Sequence, residues 1–201
     1  MLIAGLSEFL IIIALLWTGI RQPFSAQSSL RFLFLICLMI TGIAASLGAI
    51  KYLTAMDTQH AHQLMTYVAK HFAMPSISLL TLHIVNHTFR QSRTIHKITV
   101  FLALSSVCSL VLNQTYAVGF ISDGIIISSL LMAIKISWES ATVSKYISMA
   151  VLCLISTLIW GMVINDQSIR IGFFHCALAL FFFFLAKAYQ GLATQNTKLA
   201  L

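Results

Sequence analysis

The stretch LRFLFLICLMITGIAASLGAIKYL, residues 30–53, decides the fold, because its 24 residues carry only two charges, Arg31 and Lys51, one near each end. About 20 consecutive apolar residues are enough for a helix to cross a bilayer. The run is continuous where a membrane β-strand would alternate, so it reads as a helix whose backbone groups are all satisfied internally. Outward from it the chain repeats the pattern. Six more apolar runs cover residues 2–20, 64–88, 98–112, 116–136, 146–164 and 169–188. The fourth run along the chain is short and ends in Asn113-Gln114-Thr115, which sets its boundary with the fifth.

Composition agrees with this reading. Of 201 residues, 59% are hydrophobic and 8% charged, and the mean hydropathy is +0.94. A soluble domain of this size does not carry that balance. The expected fold is therefore all-α: a polytopic membrane protein of seven transmembrane helices in one membrane domain over residues 1–201.

Orientation follows from the basic residues. With seven spans, Arg21, Arg31, Arg90, Arg93, Lys97, Lys135, Lys145, Lys187 and Lys198 share one side, and only Lys51, Lys70 and Arg170 share the other. The positive-inside rule places the N-terminus outside and the C-terminus in the cytoplasm. The net charge of +7 is then topological and implies no nucleic-acid partner. The first run has no basic leader and contains Glu8, so it reads as a retained helix. Short loops fit a bacterial inner membrane. Cys37, Cys108, Cys153 and Cys176 all fall inside apolar runs without paired spacing and read as small buried hydrophobes.

Depth picks out the candidate site. At about 1.5 Å per residue, Glu8, Ser46, His71, Asp123 and His175 all lie roughly 5 to 15 Å below the outer surface. Five helices thus bring polar groups to one layer, with Lys51, Asp57, His60, His62, Lys70, Asp166 and Arg170 around it. Ionisable groups at such depth are expensive, so they face the bundle interior and mark functional positions. The ordinary reading differs by residue. Lys51 and Arg170 lie near helix ends and can snorkel to the headgroups, His60 and His62 sit in a short loop where a solvated imidazole needs no function, and Ser46 is a routine packing residue. His71 and Asp123 cannot reach the surface and require partners inside. Pro75 removes a backbone hydrogen bond and crowds the His71 carbonyl, so a kink is expected beside that imidazole. Nearer the cytoplasm, His83 and His87 share a helix face, with His96 on the basic rim beyond.

Seven spans with the N-terminus outside, Ser46 toward the outer end of the second helix, and His175 near the start of the seventh resemble the superfamily of alkaline ceramidases and adipoQ receptors. That resemblance implies a histidine-held zinc ion which activates water for hydrolysis of a lipid amide or ester. Ser46 matches the family serine, Asp57 stands for its aspartate, and His175 matches the first histidine of the last-helix motif. Ile50 and Ala179 occupy the positions of two further family histidines, so His62 and His71 would join His175 as the metal ligands, leaving an open position for water. Asp123 or Asp57 would accept the proton and Ser46 would orient the oxyanion, with membrane lipid entering from the outer leaflet.

Two other classes stand beside this one. Glu8, Lys70, His71 and Asp123 on a kinked helix bundle fit a small proton- or ion-coupled transporter. His71 and His175, at similar depth on different helices, fit an accessory subunit that holds haem, a quinone or a membrane-protein partner; in its partner-binding form it needs no cofactor. Lys187 in the last span resembles a retinal attachment point, but its place near the cytoplasmic end is explained by snorkelling.

Overall fold

The computed structural model describes residues 2–24, 29–54, 56–112 and 115–199. These residues are all-α, with no strand among them. Helix α1 covers Leu2–Arg21, α2 Ser29–Leu53 and α3 Gln59–Val68. A π-turn over Ala69–Ala73 joins α3 to α4, Met74–Phe89. Then come α5 Arg93–Leu112, α6 Thr115–Ile136, α7 Ala141–Val163 and α8 Gln167–Leu199. Among the described residues six helices are long and apolar enough to cross a membrane: Leu2–Arg21, Ser29–Leu53, Gln59–Phe89, Gly119–Ile136, Ala141–Val163 and Gln167–Gln195. The polar break expected between the fourth and fifth runs lies where α5 gives way to α6, although Asn113 and Gln114 fall outside the described residues.

Burial on α1 shows why these helices need a bilayer. Leu2, Leu6, Phe9, Ile13, Leu16 and Ile20, spaced three and four apart, are exposed, while Ala4, Ser7, Glu8, Ile11, Ala14 and Thr18 are buried. The apolar stripe points outward and the polar residues point in, the reverse of a soluble bundle. Water would penalise a face of that size; lipid chains accept it. The helices are then held by close packing and by polar groups turned toward one another.

Helix α8 is the spine of the packing. Phe181, Phe182, Leu185, Tyr189 and Leu192 are fully buried along it. The Thr18 hydroxyl of α1 is shared between its own Ala14 carbonyl at 2.7 Å and the Phe182 carbonyl of α8 at 2.9 Å. Across the bundle, Thr81 of α4 donates to the Ile77 carbonyl, so the Tyr189 hydroxyl, 2.7 Å away, donates to Thr81. The Phe34 ring of α2 meets the same tyrosine edge-on at 5.6 Å.

Three sequence expectations change in detail. His60 and His62 stand on α3 and not in a loop. The Asp57 carboxylate accepts the Gln59 amide at 3.1 Å, and the Thr58 hydroxyl ties the segment to the Leu47 carbonyl of α2 at 3.1 Å, so the helix starts early. The seventh apolar run lies within a helix of 33 residues, about 50 Å long and thus longer than a hydrocarbon core. The disturbance expected at Pro75 takes the form of the π-turn that leads directly into α4. There the Met74 amide reaches back five residues to the Ala69 carbonyl. The His71 carbonyl, which the proline at position 75 cannot serve, accepts the Ser106 hydroxyl of α5 at 3.1 Å.

Tyr189→Phe removes one interhelical hydrogen bond with little change in volume and is expected to lower stability by about 1 kcal/mol. Tyr189→Ala also empties a fully buried ring site and is expected to lose about 3 to 5 kcal/mol. Unfolding midpoints in detergent, compared across the two variants, check the ordering.

Candidate functional site

The bundle holds a partly open cavity of about 320 Å³. Its wall is mostly apolar, built from Ile11 of α1, Ala44 and Ala45 of α2, Met74 of α4, Ile126 of α6 and Leu178 of α8. Five ionisable side chains break that wall: Glu8 of α1, His62 of α3, Lys70 of the π-turn, Asp123 of α6 and His175 of α8. A largely apolar pocket with a few convergent polar groups is the usual form of a small-molecule site.

The polar groups fall into two pairs and a fifth member. At one side, Lys70 Nζ and Asp123 Oδ2 are 3.6 Å apart and about half exposed, a pair that contributes little to stability and leaves this part of the wall nearly neutral. The other pair is sealed. The Glu8 side chain is 2% exposed, and His175 Nε2 stands 3.3 Å from its Oε1. Their alignment does not make a hydrogen bond, so Glu8 Oε1 has no hydrogen-bond partner among the described residues. A buried oxygen in that state is costly unless something supplies a donor.

His175 is held from behind. The Ser7 hydroxyl donates to the Ala4 carbonyl at 2.8 Å, so its oxygen accepts from His175 Nδ1 at 3.0 Å. The Ala4 carbonyl, 3.4 Å from the same nitrogen, can also only accept. Nδ1 therefore carries the proton, and Nε2 keeps its lone pair toward Glu8 and the cavity. His62 repeats the arrangement: its Nδ1 lies 3.0 Å from the Ala44 carbonyl, which again fixes the proton on Nδ1 and leaves Nε2 an acceptor.

Gly48 makes room for this group. A Cβ there would collide with Glu8 Oε1, and would come within 2.8 Å of Glu8 Cδ and 2.9 Å of His62 Cε1. The absence of a side chain on α2 thus lets Glu8 from α1 and His62 from α3 meet over the helix backbone.

The remaining expected site residues lie apart. His71 is buried but does not line the cavity; its Nδ1 shares a 3.0 Å hydrogen bond with Ser122 of α6, and its ring packs against Tyr67 at 4.4 Å. Ser46 is exposed on the far side of α2, bonded back to the Gly42 carbonyl at 2.8 Å, beside a separate shallow groove. Asp57 is exposed at the start of α3. Among the described residues no three His, Cys, Asp or Glu side chains gather as a metal-holding group. The zinc set of His62, His71 and His175, with Ser46 and Asp57 beside it, does not fit this arrangement. His71 is likewise not among the described residues that line the cavity with His175. Sequence reasoning missed Ser7 and Ser122, the hydroxyls that position the two buried imidazoles; a serine seven residues into an apolar helix carries no signal of its own.

Gly48→Ala is expected to push Glu8 and His62 aside with little loss of stability, since the added helix propensity offsets a clash that flexible side-chain ends can relieve. Side-chain ¹⁵N spectra of labelled histidines check it: His62 and His175 should shift and His71 should not. Compared with protein-family models, with curated proteins and with solved structures, the chain shows no match.

Proposed function

We propose that this is a seven-span integral membrane protein, N-terminus outside, whose intramembrane cavity binds an amphipathic small molecule drawn from the bilayer. The seventh span in this reading is α5, which at 20 residues is about 30 Å long. Orientation rests on the basic residues, which crowd around the gaps that follow α1, α4 and α6 and the C-terminal part of α8. The outward-facing apolar stripe of α1 supports the membrane placement.

One observation carries the binding reading. A carboxyl oxygen without a hydrogen-bond partner is sealed at the wall of a mostly apolar cavity inside the bundle. The apolar wall accepts a hydrocarbon body and the polar groups accept a head, while the half-exposed Lys70 and Asp123 border a route by which the head could enter. Lipid hydrolysis would need Ser46 and Asp57 beside a water-activating group. Both stand away from the cavity, so the geometry supports binding better than catalysis.

Two measurements test this. Mass spectrometry of extracts from protein reconstituted after stringent washing should find a retained amphiphile in roughly stoichiometric amount, and Ala45→Trp, which fills the cavity, should remove it without unfolding the bundle. Retention equal to that of an unrelated membrane protein would sink the proposal. A fluorescent reporter that matures only in the cytoplasm, fused after residue 201, should be bright; a dark fusion would reverse the topology or change the number of spans.

A further inference from the structure

The sealed end of the cavity has an unusual hydrogen-bond inventory, and this deepens the binding reading on which it rests. Backbone carbonyls can only accept. The Ala44 carbonyl therefore fixes the His62 proton on Nδ1, and the Ala4 carbonyl, directly and through Ser7, does the same for His175. Each imidazole is left with a lone pair on Nε2. Glu8 adds carboxyl oxygens, of which Oε1 has no hydrogen-bond partner among the described residues. Three side chains thus line one cavity as acceptors. Among the described residues that line the cavity, the one lysine, Lys70, is drawn toward Asp123.

From this we infer that the cavity selects an amphiphile whose head is a protonated primary amine. An ammonium group brings three N–H donors and one positive charge, which matches a carboxylate flanked by two imidazole lone pairs in both number and sign. Hydrogen bonds to a charged partner are short and strong, and in a low-dielectric site the pairing removes the penalty of an isolated carboxylate. Without such a ligand, His175 Nε2 and Glu8 Oε1 face each other 3.3 Å apart with no hydrogen bond between them. An ammonium supplies donors to both. Among the described residues no three His, Cys, Asp or Glu side chains gather as a metal-holding group, whereas an ammonium needs only acceptors at ordinary hydrogen-bond lengths of about 2.8 Å. Gly48 completes the recess, because any Cβ there would occupy the space in which Glu8 and His62 approach.

The test is binding of four single-chain probes of equal length to the full chain in nanodiscs, followed by calorimetry: decylamine, decanol, decanoate and decyltrimethylammonium. Decylamine should bind at least about tenfold more tightly than the other three, the factor that one hydrogen bond to a charged group contributes. Glu8→Gln should abolish that preference. Where E8Q does not yield folded protein, Gly48→Ala makes the same comparison and should also lose it. Equal binding of decylamine and decyltrimethylammonium would show that charge suffices without N–H donors and would overturn the inference, as would a preference for decanol or decanoate. In those cases an amphiphile still binds and the broader function survives. Binding of none of the four would sink both. Zinc uptake that depends on Glu8, His62 and His175 and excludes decylamine would replace the amine with a metal.

Discussion

A carboxyl group inside a bundle whose outer surface is made of Leu, Ile and Phe is the constraint around which this structure is arranged. Glu8 lies on a helix that presents its apolar stripe to the surroundings, and its side chain is turned inward and sealed. No water in a hydrocarbon core can relieve that oxygen, so neighbouring helices must supply what surrounds it. α8 brings His175, α3 brings His62, and α2 contributes an absence, the missing side chain of Gly48. The packing of α1 between α2 and α8 and the geometry of the cavity are two aspects of one arrangement, since moving any of these helices by a side-chain width would close the recess or expose the carboxyl.

The same economy governs the hydroxyls. Thr18, Thr41, Ser78, Thr81 and Thr88 all donate to carbonyls three or four residues back on their own helices, which satisfies the proton without a partner helix. The oxygen then remains free to accept, and at Thr81 and Ser7 this is how Tyr189 and His175 are fixed from other helices. Ser106 works differently because its target is a defect. Pro75 leaves the His71 carbonyl without the amide that a regular helix would offer, the turn widens to a π-turn, and a hydroxyl from α5 fills the gap. π-turns of this kind often sit at functional positions, and this one carries Lys70 on the cavity wall.

Much of the fold was legible because the bilayer imposes a strong periodic requirement on any chain that crosses it. Seven apolar runs separated by charged or polar gaps can be read from residue types alone, and the depth of Glu8, Asp123 and His175 follows from counting. Direction around a helix was the missing quantity. Ser46 and His71 lie at the right depth but point elsewhere, one to the far side of α2 and the other to Ser122 on α6. In a helix that is apolar over most of its circumference, no amphipathic contrast tells which side is inward. The role of Gly48 was illegible for a related reason: glycine in a membrane helix is common, and only the side chains that crowd its Cα show which of its uses applies. His62 reads as a loop residue because no apolar run covers residues 60–62, whereas the structure extends α3 outward through contacts of Asp57 and Thr58 that have no sequence periodicity.

The order of the groups Ser7, His175 and Glu8 separates binding from nucleophilic catalysis. A serine, an imidazole and an acid in a row resemble the triad used for acyl transfer, in which the hydroxyl faces the substrate and the acid sits behind the imidazole to orient it, although here only the serine–imidazole contact is a hydrogen bond. Here the line is reversed. Ser7 is buried, gives its proton to the Ala4 carbonyl and holds the rear nitrogen of the ring, while Glu8 stands at the cavity wall. A hydroxyl in that place has no path to an acyl carbon in the cavity, and its proton is not the one the imidazole would take. What the arrangement can do is keep two acceptors, Glu8 Oε1 and His175 Nε2, pointed at one space 3.3 Å apart. That arrangement offers acceptors to a donor-bearing group and offers no nucleophile.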